Sequence, residues 1–410
     1  MTFNYMVLRL GAKPDYKTHI VATFYIESKI SLSRAAGEIA AESSIGTWTE
    51  LKTLRPEVAR RLAAVIFYLN QKTGIVRIAY PLEIFEPGNI PQLLSSVGGN
   101  VFGMKDLKNL RLLDLDFPGK YVRSFLGPAF GIPGVRKFLG IKKRPIIGCI
   151  MKPKLGLTSD EHARLAYFMW KNGIDTIKDD ENLTDLSFNH FKDRVRKVIA
   201  LKRKAERETG KRKMHVFNIT ASPDQMLKRA KLIKQFGGEC AMIDIVTCGF
   251  GSVEFIRRQN LGLILHGHRA GHATFTRNPR HGITMLVVAK LARLAGIDEL
   301  HTGTWVGKME GSSRGLKEIN NFLKNKWYGM KTVLPVASGG LHPRLVPKLI
   351  NLVGEDVIIN AGGGIHGHPS GSEAGARAMV QAVEAVEKGV SLDAYAKIRP
   401  ELREALKYWK

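Results

Sequence analysis

Cysteine is scarce in this chain: Cys149, Cys240 and Cys248 are the three in 410 residues. Their spacing matches neither a metal-ligand motif nor a disulfide framework, which excludes small stapled secreted folds and makes a reducing cytoplasm the expected compartment. Long apolar runs are missing as well. No apolar run reaches the roughly 18 residues a membrane helix needs, so no membrane partner is expected. The opening "MTFNYMVLRLGAKPDYK" lacks the basic-then-apolar layout of a secretory signal. Low-complexity segments are absent. Acids are in short supply, with 37 Asp and Glu against 63 Lys and Arg and a net charge of +26. Such a field draws in anions.

The densest basic run, "KDRVRKVIALKRKAERETGKRK" (192–213), has two readings. It could attract nucleic acid or polyphosphate. It also places Val195, Val198, Ile199 and the stem of Lys202 at helical spacing, which makes it an amphipathic helix with a solvated basic face. With no nucleic-acid-binding signature beside it, the second reading is preferred and no nucleic-acid partner is expected.

What is present is ample apolar content, 44% of the chain, and a rhythm. Residues 1–125 mix strand-like "HIVATFYIES" and "GIVRIAYPLEIF" with helix-like "LSRAAGEIAAES" and "RPEVARRLAAVIFYL", a small α+β domain. The Gly/Pro-punctuated "DFPGKYVRSFLGPAFGIPGVRKFLG" reads as a connector with a short helix. From there to residue 410, short β-prone runs alternate with longer amphipathic segments. The runs are "PIIGCIM" (145–151), "GIDTIK" (173–178), "MHVFNI" (214–219), "CAMIDIV" (240–246), "LGLILH" (261–266), "ELHTG" (299–303), "TVLPVA" (332–337) and "DVIINA" (356–361). Eight such units predict an α/β fold of the (β/α)8 TIM-barrel type, followed by C-terminal helices.

In such a barrel the chemistry sits at the C-terminal ends of the strands. After the first run come Lys152 and Lys154, either two exposed loop lysines or a pair serving an anion or a proton transfer. After the second comes "KDDEN", Lys178 to Asn182. Acid oxygens there suit a hard cation such as Mg²⁺. Lys178 is either one cation of a salt-bridge cluster or, as a neutral amine, a group that reacts with CO2 to give an anionic carbamate ligand. After the fifth run, His266, His268 and His272 flank Arg269, which favours an anion over zinc. His301 ends the sixth run, and Lys308 follows between Gly303, Gly307 and Gly311, in a closing loop or an ordinary turn. "SGG" (Ser338–Gly340) and "AGGG" (Ala361–Gly364) close the seventh and eighth runs, where bare backbone N–H groups can cradle phosphate.

These segments, with "AAESSIGTWTE", "YPLEIFEPGNI", "GGNVFGMKDL", "GCIMKPKLGL", "HGHRAGHATF", "HTGTWVGKMEG", "ASGGLHP" and "AGGGIHGHPSG", resemble the large subunit of ribulose-1,5-bisphosphate carboxylase/oxygenase (RuBisCO) over nearly the whole length. The resemblance implies carboxylation of ribulose 1,5-bisphosphate by CO2 through an enediolate, giving two 3-phosphoglycerates, with O2 competing. It implies that Lys178 is carbamylated by an activating CO2 and binds Mg²⁺ with Asp180 and Glu181. Lys152 and His268 would move protons, and Lys308 would stabilise the carboxylated transition state. Substrate would be held by Lys154, Arg269, His301, Ser338, Gly339, Gly340, Asn360, Ala361, Gly362 and Gly363. Glu42, Thr47, Trp48 and Asn100 of a partner subunit would complete the site, so a homodimer or an assembly of dimers is implied, without a small subunit. Asp179 is left as a supporting acid.

Ile150 stands where many members have threonine, Met309 and Ala361 depart from the plant-type pattern, and the chain ends in "KIRPELREALKYWK" with no long tail to latch a loop. The pattern is closer to the archaeal-type (form III) group, which implies a role in nucleoside monophosphate (AMP) salvage. Two rivals remain: a RuBisCO-like protein that only enolises a related sugar phosphate, and a basic barrel that binds RNA or polyphosphate.

Overall fold

The computed structural model describes residues 7–47, 49–307 and 312–410. Trp48 and the loop residue Lys308 therefore lie outside the described residues. Two compact units are present. The first gathers the described residues through Leu126 with Gly271–Ala295 and Tyr328–Met330. Its six-stranded sheet runs in the order Val7–Leu8, Val65–Asn70, Ile75–Pro81, His19–Ser28, Leu107–Asp116, Gly282–Ile283. The helix Leu32–Glu42 starts at Ser31, whose hydroxyl accepts from the Arg34 N–H, and buries Leu32, Ala35, Ala36 and Ile39.

The helix-like reading of 55–69 fails in its second half. The helix covers only Pro56–Leu62, and Val65–Asn70 is a strand paired antiparallel with Ile75–Pro81. The β-branched and aromatic side chains of "VIFY" favour the pleated surface, and Gly74 at φ +68° supplies the left-handed turn that a tight hairpin needs.

The second unit is a closed barrel of eight parallel strands. In chain order they are Ile146–Ile150, Thr176–Lys178, Met214–Asn218, Cys240–Asp244, Ile264–His268, Glu299–His301, Leu334–Ser338 and Ile358–Ala361. Each pairs with the next, and the eighth closes on the first with Ile358 opposite Ile146. The helices Ser159–Lys171, Phe191–Thr209, Pro223–Phe236 and Phe250–Arg258 follow the first four strands, and Gly371–Glu387 follows the eighth. The predicted N-terminal α+β domain and TIM barrel are both present.

Alternation along the strands sorts the interior into layers. The lower layer is apolar: Ile146, Met214, Cys240, Ile264, Leu334 and Ile358 pack with Ile132, Val135 and Leu139 of the helix Gly131–Leu139. Two residues further along, Val216, Met242 and Val336 continue the apolar packing, while His266 and Asn360 begin the polar groups. The fifth strand runs Ile264, His266, His268 on one side, two residues beyond its predicted end. Gly262 at φ +63° breaks the extended backbone at its predicted start, while pairing continues to His268 opposite Asp244.

The basic run forms the helix Phe191–Thr209, with Val195, Val198, Ile199 and Lys202 buried as the spacing predicts. Arg194 corrects the picture of a solvated basic face. It is buried on the inner stripe and points its guanidinium into the barrel wall.

Candidate active site

Lys178 is the last residue of the second barrel strand and is buried. Its Nζ donates to the Asp179 carbonyl at 2.8 Å. Burial disfavours its charged form and lowers its pKa, although Glu181, Asp180, Asp244 and Asp179 all pull the other way. The amine is thus biased toward the neutral state.

The three acids after it separate. Asp179 turns into the wall, where Arg194 Nε sits 3.1 Å from Oδ2 and His215 Nε2 lies 2.8 Å from Oδ1. His162 Nε2 is 3.2 Å from the same Oδ1. Burial opposes the charge of Asp179, yet Arg194 and the two histidines hold its carboxyl well below the usual range. His162, Asp179 and His215 bring three ligand-type atoms within 4.8 Å of one another, but Arg194 already supplies the positive charge there. Asp180 and Glu181 turn toward the mouth. Asp180 pairs with Lys152 through Oδ2, while its buried Oδ1 accepts no hydrogen bond, the Lys154 ammonium standing 3.5 Å off. Lys154 meets Glu181 at 2.8 Å. Burial raises the Glu181 carboxyl, but hydrogen bonding to Asp180 and Lys154 outweighs it and holds the pKa low.

Across the mouth, His268 Nδ1 is 2.6 Å from Asp244 Oδ1, and its Nε2 is 3.9 Å from Glu181. Burial and the nearby Lys178 lower its pKa. The Arg269 guanidinium has no hydrogen-bond or ion-pair partner among the described residues, and burial lowers its pKa to about 10. A Cβ on Gly303 would stand 2.7 Å from its Nη2, so glycine there leaves room for it. A desolvated cation without a counter-charge is a receptor for an anion. His301 reaches Ser338 Oγ at 2.7 Å. Gly339 and Gly340 adopt φ of +110° and +73°, a backbone that side-chain-bearing residues avoid. The loop after the sixth strand packs on them so closely that a Cβ on Gly307 would sit 1.9 Å from the Gly339 carbonyl.

At the eighth strand, Asn360 is buried with Oδ1 over Gly148, and Ala361 is buried. A Cβ on Gly362 would lie 3.0 Å from Lys152 Cε, whereas Gly363 faces open space. Among the predicted residues in the barrel unit, one mouth thus collects Lys152, Lys154, Lys178, Asp180, Glu181 and His268. His272 is not among them: it belongs to the first unit and bonds Thr276 Oγ1. Also in that unit, Asn100 Nδ2 donates to Glu42 Oε1 at 3.1 Å, and Thr47 lies half-buried beyond the helix end.

A family model described as the ribulose bisphosphate carboxylase large chain, catalytic domain, matches residues 131–409, and one for its N-terminal domain matches residues 8–121. The chain belongs to the RuBisCO large-chain family. The ribulose bisphosphate carboxylase of Pyrococcus furiosus is 51% identical over 96% of this chain and 94% of its own. That of Methanocaldococcus jannaschii is 47% identical over 93% and 94%. The octameric RuBisCO of Pyrococcus horikoshii, crystallised with sulfate, superposes with a TM-score of 0.95 at 49% identity, covering 99% of this chain and 97% of the other. The dimeric archaeal RuBisCO of Hyperthermus butylicus gives 0.92 at 43% identity, covering 100% and 99%. The archaeal-type (form III) resemblance read from the motifs is borne out. Among the described residues no helix is long and apolar enough to cross a membrane.

Sequence reasoning missed the buried groups that engage Asp179, namely Arg194, His215 and His162, and the buried acid Glu299 that meets His266. Arg194 left a signal, a charge on the apolar stripe between Phe191 and Val198. The others sit on strands or helices with no motif around them.

Proposed function

We propose that this chain carboxylates D-ribulose 1,5-bisphosphate with CO2 and water to give two molecules of 3-phosphoglycerate, with O2 as a competing co-substrate. The observation that carries this reading is the buried Lys178 amine beside Asp180 and Glu181. A lysine biased toward neutrality keeps the lone pair that attacks the carbon of CO2, and the displaced N–H proton leaves to solvent. The product carbamate, Asp180 and Glu181 would hold Mg²⁺, a fit supported by hard oxygen donors and by the bare Asp180 Oδ1. When bound, that ion supplies Lewis acidity toward a substrate carbonyl.

The protein groups do the rest. His268, oriented by Asp244, and Lys152, lying along Gly362, exchange protons with the sugar. Arg269, Lys154, His301, Ser338 and the backbone of Gly339, Gly340, Gly362 and Gly363 hold its phosphates and hydroxyls, with Asn360 and Ala361 shaping the wall. Lys308 stabilises the new carboxylate under a closed loop. Glu42, Thr47, Trp48 and Asn100 come from a second subunit, so the working unit is at least a dimer, and the substrate comes from nucleoside monophosphate (AMP) breakdown.

Incorporation of labelled CO2 into 3-phosphoglycerate, with and without preincubation in CO2 and Mg²⁺, tests the reading. Label in the product and a gain on preincubation are expected. Enolisation of the sugar without label overturns it in favour of an isomerase.

A further inference from the structure

Beside Gly339 and Gly340, four side chains from three neighbouring strands form an unbroken hydrogen-bonded file. Glu299 Oε2 lies 2.7 Å from His266 Nδ1, and His266 Nε2 lies 2.8 Å from His301 Nε2. His301 Nδ1 lies 2.7 Å from Ser338 Oγ. Burial, reinforced for His301 by His268 and His266, keeps both imidazoles neutral. A neutral imidazole donates through one nitrogen and accepts through the other. The file therefore has two self-consistent polarities, and the group at its closed end selects between them.

That group is Glu299, fully buried, with Oε1 lacking any hydrogen-bond partner. Among the described residues no Lys or Arg pairs with it. Its chain neighbour Asp298 is already engaged by Arg257 and by the Phe130, Gly131 and Leu265 N–H groups. An ionised carboxylate with one bare oxygen is heavily penalised in such surroundings. A protonated carboxyl needs only one acceptor for its O–H, and His266 Nδ1 provides it. Burial and the Asp298 charge raise the Glu299 pKa to about 8, in the same direction.

We propose that Glu299 is a positioning residue: as a neutral acid it donates to His266, and so fixes His266 as the Nε2–H tautomer and His301 as the Nδ1–H tautomer. Ser338 then receives its hydrogen bond from His301, and its own hydroxyl hydrogen is left to donate to the substrate. An ionised Glu299 would reverse every bond. Ser338 would spend its one hydrogen on His301 and turn only lone pairs toward a phosphorylated sugar. The inference rests on the reading that Ser338 meets that sugar.

Neutron diffraction from deuterated crystals of the unaltered protein at neutral pH locates the imidazole hydrogens directly. Hydrogen on His266 Nε2 and His301 Nδ1 is expected; the opposite pair overturns the proposal. Two variants read the consequence. Glu299→Gln keeps an N–H donor for His266 and should leave KM for ribulose bisphosphate within about twofold, whereas Glu299→Leu should raise it about tenfold, the scale of one lost hydrogen bond. The turnover number should change less than KM, and the Leu effect should vanish in a Ser338→Ala background. A Leu effect that persists there, or equal KM in all variants, overturns the proposal. Calorimetric binding of an unreactive pentitol bisphosphate to the unaltered protein separates the two layers. No binding and no carboxylation overturn the substrate reading itself; binding with the wrong tautomers overturns only the role of Glu299.

Discussion

On the second-strand side of the barrel mouth each acid faces a cation: Asp179 meets Arg194, Asp180 meets Lys152 and Glu181 meets Lys154. On the side built by the fifth to seventh strands, Glu299, His266, His301 and Ser338 meet without a formal counter-ion among them. Lys152, Lys154 and Glu181 keep contact with solvent while Glu299, His266 and His301 are buried, and the means of tolerating burial differ as well. Paired charges hold a site that is to exchange one charge for another, as a lysine becoming a carbamate does. Neutral groups hold a site whose task is to aim hydrogens. A charge within that hydrogen-bonded file would blur that aim, and a neutral group among the pairs of the first side would leave partners stranded.

Exchanging members of the two sides tests the distinction. The largest effect belongs to Lys178→Ala, which should abolish CO2-dependent activation and lower carboxylation by at least about a thousandfold. Its unfolding midpoint should stay near that of the parent, because the change removes a buried amine rather than a paired ion. Retained full activity would contradict the carbamate role. Next comes Arg194→Met, which strands Asp179 and should cost about 3–5 kcal/mol in denaturant unfolding. A loss under 1 kcal/mol would show that the two histidines suffice.

The third effect is a pair of opposite pH slopes. Burial lowers the His215 pKa to about 4. Below its unfolded value near 6.5 the unfolded chain binds a proton that the folded one refuses, so stability falls as pH drops from about 6.5 toward 4. Glu299 behaves inversely. With its folded value raised to about 8, the folded chain keeps a proton that the unfolded one releases above about 4.5. Its share of the stability therefore falls as pH rises through that window. Thermal unfolding against pH should lose the alkaline slope in Glu299→Gln and the acid slope in His215→Gln, each on the order of a few kcal/mol. The smallest effect is expected from Lys192→Ala on the solvated face of Phe191–Thr209, within about 0.5 kcal/mol by the same assay.

Much of this is legible in the sequence. The eight barrel runs were legible because each interrupts a helical period with a short apolar stretch, and their polar ends fall where a barrel places its chemistry. The run at 55–69 misled because Ala and Arg favour helix up to Leu62 while the strand that follows is equally apolar. The fifth strand was placed early because Leu261 and Leu263 are as apolar as its true members, and only pairing with the fourth strand brings His268 inside it. Supports such as Arg194 and Glu299 escape motif reading for another reason. Their partners are 15 residues away for Arg194 and 33 for Glu299, and only folding brings them together.

The helix Gly131–Leu139 has one last consequence. With Ile132, Val135 and Leu139 set into the apolar lower layer, the barrel is stoppered at that end, which leaves the opposite mouth, where Lys178 ends its strand, as a doorway. On the proposed reading, the CO2 that activates Lys178, the CO2 that is fixed and the O2 that competes all share that entrance. Selection among them therefore cannot be a matter of route. It has to be made by timing and reactivity at the doorway itself.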